Sequence, residues 1–143
     1  MKKQVVFCSL LLSNFLTATI FELRTVDDQI VVDVLYAAVT NDGDSPALQF
    51  IDIKSSYGIP ALCLTVFTHA VKETEFLLDH GARVDAIAGG KYSALTIAAS
   101  LGGYALVELL LRYGANPYIR SIEGKTACDI AEEEGFLNIV ELI

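Results

Sequence analysis

The stretch LLLRYGANPYI (residues 109–119) is preceded, 33 residues earlier, by FLLDHGARVDAI (residues 76–87). In register, Leu77, Leu78, Gly81 and Ala82 fall on Leu110, Leu111, Gly114 and Ala115. The same step carries SALTIAASLGG (93–103) onto TACDIAEEEGF (126–136), with Ala98 over Ala131, Gly102 over Gly135, and Val107 over Val140. Going back, Ser93, Ala94 and Leu95 meet Pro60, Ala61 and Leu62. A fixed period of this length is the mark of stacked units, each of which buries its apolar face against the next.

Each unit reads as helix, tight turn, helix, loop. Ser93 and Thr126 are N-cap residues, and Asp129 three places after Thr126 completes a capping-box pattern. Ala98, Ala99 and Ala131 keep the first helix slim. Leu106, Val107, Leu109, Leu110 and Leu111 give the second helix a wide apolar face. Gly81 and Gly114 sit just past its end, where a left-handed residue closes the last turn. Pro117 stops the helix from resuming. The spacing predicts helix pairs over 60–68 with 72–80 and 93–101 with 105–113.

These units resemble the ankyrin repeat. The matching residues are Gly58, Ala61, Leu62, Leu77, Leu78, Gly81 and Ala82; then Leu95, Ala98, Ala99, Gly102, Val107, Leu110, Leu111, Gly114, Ala115 and Asn116; then Gly124, Thr126, Ala127, Ala131, Gly135 and Val140. The resemblance covers residues 57–143. It implies an all-α solenoid of stacked helix pairs with short hairpin loops. Three positions depart from the pattern: Pro60 replaces a Thr, Lys91 a loop Gly, and His69 the Gly between the two helices. Upstream, VLYAAVTNDGDSPALQFIDI again reads helix, turn, helix, about five residues short of register. Residues 20–56 are therefore expected to form a degenerate N-terminal unit that caps the stack.

Residues 1–19 stand apart. Lys2 and Lys3 precede a run from 4 to 21 without charge, the layout of a secretory signal peptide. The cleavage position is poor, since a cut after Ala18 leaves Leu16 where a small residue belongs. A buried helix, with Ser9, Ser13 and Thr17 as a polar stripe, and a membrane anchor are the competing readings. The first places the protein in the periplasm or outside the cell, as an immunity or protective factor would be. The second suits a cytoplasmic adaptor or a host-directed effector.

The formal charge of −8 in 143 residues argues against an electrostatic grip on nucleic acid. It argues equally against a polybasic membrane patch. The three cysteines, Cys8, Cys63 and Cys128, form no CxxC. Cys63 and Cys128 lie two units apart, too far for a disulfide, and read as small buried residues.

No catalytic constellation emerges. EGKT (123–126) lacks the upstream glycine of a phosphate loop, Ile119 standing in its place. GGKYS (89–93) fails similarly. His69 and His80 have no partner at metal-ligand spacing, and no Gly-x-Ser-x-Gly occurs. No enzyme activity, cofactor, metal or small-molecule substrate is expected. The Glu132-Glu133-Glu134 run reads as a solvated helix face or an acidic contact.

The resemblance implies protein–protein binding through the concave face and the hairpin tips. Carried over by register, the contact positions are Tyr57, Ile59, Phe67, Thr68 and Ile87; then Tyr92, Ser100, Leu101, Arg120 and Ile122; then Glu123, Lys125, Glu133 and Glu134. Bulky apolar residues at Tyr57, Phe67, Ile87, Tyr92, Leu101 and Ile122 stand where the scaffold would accept polar ones, the composition of an interface; packing of Phe67 on Leu101 between adjacent units is the competing reading.

Overall fold

The structure, a computed structural model, describes residues 29–143. The leader and the start of the N-terminal unit lie outside the described residues. Helix α1 (Gln29–Thr40) is followed by a 3₁₀ helix (Pro46–Phe50). Helices α2 (Ala61–Phe67) and α3 (Val71–Asp79) form the next unit. Two short strands, β1 (Ile87–Ala88) and β2 (Tyr92–Ser93), lead into α4 (Ala94–Ser100) and α5 (Tyr104–Arg112). The last pair is α6 (Ala127–Glu133) and α7 (Leu137–Val140). The observed bounds fall within one residue of those read from the spacing at both predicted pairs.

First helices pack in a row, α2 on α4 on α6, and second helices in another, α3 on α5 on α7. Each first helix also packs on its own second helix, and α1 closes the row against α2 and α3. Leu62, Leu77, Leu95, Leu106, Leu110 and Ile139 are fully buried between them. Ala61, Ala94, Ala98, Ala127 and Ala131 are buried at nearly every atom, the small side chains that let neighbouring helices close up. Among the described residues no helix is long and apolar enough to cross a membrane.

The helix ends explain why the period is so regular. At α3 the Ala82 N–H donates to the Leu77 carbonyl and the Gly81 N–H to the Leu78 carbonyl; at α5, Ala115 donates to Leu110 and Gly114 to Leu111. This double closure needs a left-handed residue at the glycine, and φ is +91° at Gly81 and +83° at Gly114. The turns between first and second helices repeat it, with φ +68° at Gly102 and +80° at Gly135. His69 occupies the same place at φ +55°, so the departure noted in sequence keeps the backbone and bears its strain on a side chain. Asn41 takes that conformation in the N-terminal unit. It precedes His69 by 28 residues (69 − 41) rather than 33, the shortfall expected from sequence. The missing length falls on the second helix, which is a five-residue 3₁₀ turn here and not the α-helix the pattern suggested.

The N-caps form as read. Thr96 N–H donates to Ser93 Oγ (3.2 Å), and at α6 Asp129 N–H donates to Thr126 Oγ1 (3.2 Å) while Thr126 N–H donates to Asp129 Oδ2 (2.9 Å). The bonds from Thr126 hold the Asp129 carboxyl below its ordinary pKa. Loops are tied across units by a recurring step of 31 residues: Arg83 N–H donates to Asp52 Oδ1 (2.8 Å) and Asn116 N–H to Asp85 Oδ1 (2.9 Å). At the tips, Gly89 N–H donates to the Gly58 carbonyl (2.9 Å) and Ile122 N–H to that of Lys91 (3.0 Å). The bridge between Lys54 and Pro60 has the register of Ile87 opposite Ser93, so the repeating pattern reaches back before Tyr57, to Asp52.

Candidate partner-binding surface

The structure sorts the sequence-predicted contact residues into two rows. Tyr57, Ile87, Tyr92, Arg120, Ile122, Glu123 and Lys125 belong to the hairpin loops that precede the first helices. Phe67, Thr68, Ser100, Leu101, Glu133 and Glu134 lie at the far ends of those helices, against the inter-helix turns. Six helical residues, about 9 Å of rise, separate the rows. Within that span Ala61, Leu62, Cys63, Leu64, Thr65 and Val66 are buried, as are Ala94, Leu95, Thr96, Ile97, Ala98 and Ala99. In these two units the single surface expected from sequence is therefore interrupted by helix that offers no exposed side chain, whereas α6 exposes Asp129 and Glu132 between the rows.

In the tip row, Tyr57 is 73% exposed and Ile122 65%. Tyr92 is half-buried rather than exposed, because its ring packs on the core and its hydroxyl donates to Glu123 Oε1 at 3.2 Å. That bond raises the Tyr92 pKa. Lys125 Nζ lies 2.6 Å from Glu133 Oε2 and 3.6 Å from Glu123 Oε2, which raises the lysine pKa and ties the third tip to α6. Arg120 Nη1 donates to the Gly124 carbonyl at 2.6 Å. The charged members of this row are thus partly committed to one another, whereas Tyr57 and Ile122 are not.

In the turn row, Phe67 is 46% exposed and Leu101 39%. Thr68 is half-buried and its hydroxyl donates back into its own helix, to the Leu64 and Thr65 carbonyls. The Ser100 hydroxyl does the same to Ile97. Neither hydroxyl is directed at a partner. The structure adds Tyr104 and Leu137, both exposed, at the starts of α5 and α7 just past the same turns. They lie 33 residues apart, so extending the register two places beyond Gly102 and Gly135 would have found them. Tyr118, exposed at the loop after α5, was also missed. It stands in the register of Asp52 and Asp85, where those carboxylates bond the following loop.

Among the described residues no group of His, Cys, Asp or Glu is placed to hold a metal. Cys63 is buried and its thiol is pushed up to about 12 by desolvation, so it stays protonated near neutrality. It and Cys128 are both free.

Residues 77–131 match the family of ankyrin repeats (many copies). An ankyrin repeat-containing protein of Treponema pallidum (strain Nichols) is 36% identical over 80 residues, 55% of this chain and 27% of the relative. A protein of Oryza sativa subsp. japonica, named as a probable E3 ubiquitin-protein ligase, is 35% identical over 98 residues, 67% of this chain and 19% of the relative. An ankyrin repeat protein of Acanthamoeba polyphaga mimivirus is 29% identical over 111 residues, 78% of this chain and 61% of the relative. The chain thus spans about a fifth to a quarter of the length of the first two. The ligase likeness runs through the ankyrin region alone. This chain is a member of the ankyrin repeat family. Its repeats are an interaction module, a fold that binds other proteins and has no chemistry of its own.

Proposed function

We propose that this protein binds one partner protein through the hairpin-tip row and the turn row of its stack. The carrying observation is the exposure of Tyr57, Ile122, Phe67 and Leu101, large apolar side chains left in solvent in these two rows beside a core that buries most of the leucines. Such anchors supply most of the energy of an interface, while rim charges contribute to rate and salt dependence. Affinity capture from the source cell followed by mass spectrometry identifies the partner, and purified components then test the surface. Leu101→Ala and Ile122→Ala are each expected to weaken binding at least about tenfold. Glu133→Ala is expected to change mainly the association rate and its dependence on salt. Unaltered affinity in both apolar variants would remove the basis of the proposal.

The setting we favour is export, with the protein acting on its partner outside the cytoplasm as an immunity or protective factor. Lys2 and Lys3 ahead of an uncharged run support it. The expected observation is a mature chain that lacks about the first 18 residues. An intact mass that retains Met1 would point instead to the intracellular adaptor.

A further inference from the structure

Across the three repeat units the turn row changes chemistry in one direction, while the N-terminal turn before them carries Asp42 and Asp44, both exposed. Phe67, Ser100 and Glu133 are equivalent by register, as are Thr68, Leu101 and Glu134. Phe67, Leu101 and Tyr104 make the first two units apolar at this edge, and the third presents carboxylates beside one exposed apolar side chain, Leu137. The acidic end is larger than the register pair alone. Glu132 stands where Val66 and Ala99 are buried, and Asp129 where Cys63 and Thr96 are buried; both are exposed on α6. Lys125 neutralises part of Glu133. Glu132 and Glu134 have no ion-pair partner among the described residues. These two carboxylates are thus uncompensated at one end of an exposed apolar row.

Resting on the protein-binding reading above, we infer that the turn row takes an extended protein segment with apolar side chains at one end and lysine or arginine at the other. Its apolar end lies on Phe67, Leu101 and Tyr104, and its basic end over Glu132 and Glu134. Packed helices are about 8–10 Å apart, so α2 to α6 spans roughly 20 Å, the reach of about six extended residues. Charge complementarity selects the basic end, and the apolar side chains fix the register, since a row of carboxylates alone would hold a cation without orienting it.

The test uses eight-residue synthetic peptides with Leu and Phe at one end and three lysines at the other, in both chain directions. Counterparts carry glutamate in place of lysine. Binding is measured by calorimetry at low and physiological salt. One direction of the lysine peptide is expected to bind at least about tenfold tighter than its glutamate counterpart, more weakly as salt rises. Leu101→Ala and the pair Glu132→Gln with Glu134→Gln should each reduce that affinity at least about fivefold, while Asp42→Asn with Asp44→Asn, at the other end of the stack, leaves it unchanged. Lack of binding, equal binding of both peptide charges, or equal loss from the Asp42 and Asp44 pair overturns the inference. If it fails while Leu101→Ala or Ile122→Ala still weakens the captured partner, the protein-binding proposal stands and only the chemistry assigned to the segment is wrong.

Discussion

Gly102→Val is expected to destabilise the fold by about 2–5 kcal/mol, well beyond the same change at Gly114. Both glycines are left-handed, at φ +68° and +83°, so a β-branched residue at either incurs a backbone cost of about 1–2 kcal/mol. Space separates them. A Cβ at Gly114 meets nothing within 4 Å, whereas one at Gly102 lies 2.7 Å from Cε1 and Cζ of Phe136. Phe136 leads into α7 and packs on the core from the following unit. The added clash is of the overpacking kind, about 1–3 kcal/mol. Urea unfolding of Gly102→Val, Gly114→Val and the double variant Gly102→Val with Phe136→Leu separates the two costs. Trimming the ring should recover stability only in the Gly102 background, and only the share due to contact. Equal losses at both glycines would mean that the ring moves aside freely.

That close approach shows what a single sequence can and cannot disclose about this fold. The 33-residue register marks Gly102 and Gly135 as equivalent, but helix-end chemistry read a left-handed residue only at Gly81 and Gly114, and the structure adds these two. The same reasoning found the capping box at Thr126 and Asp129, because capping is local and its residues are neighbours in sequence. His69 was legible as a departure; its retained left-handed backbone was not, since neighbouring units impose it against the residue's own preference. The short second helix of the N-terminal unit was visible as missing length, but its 3₁₀ geometry was not, because short runs of either helix share the same pattern. At the surface, register placed each candidate residue in its unit and left its fate open. Tyr92 looked like a free aromatic at a tip, and only the fold brings Glu123, 31 residues away, within reach of its hydroxyl. Position alone could not show that α2 and α4 bury every residue between the two rows.

The same distinction between register and burial sets the last expectation. Leu110→Ala should cost about 2–5 kcal/mol and Leu101→Ala about 1 kcal/mol or less. Leu110 has no exposed surface and lies in α5, whose neighbours in the second-helix row are α3 and α7. Truncating it leaves a cavity bounded by helices that belong to three units, and the interfaces between neighbouring units are a main term in the stability of a stack. Leu101 is the C-cap residue of α4 and keeps 39% of its surface in solvent, so its truncation removes less buried area and opens no enclosed space. At this size the Leu110 variant should melt at least about 8 °C lower than the parent, with a single cooperative transition, and the Leu101 variant within about 4 °C of it. Thermal melting beside partner binding for the two proteins decides the role of the turn row. A Leu101→Ala variant that melts as low as Leu110→Ala would make Leu101 a packing residue, and the row would lose the apolar centre on which its partner is proposed to rest.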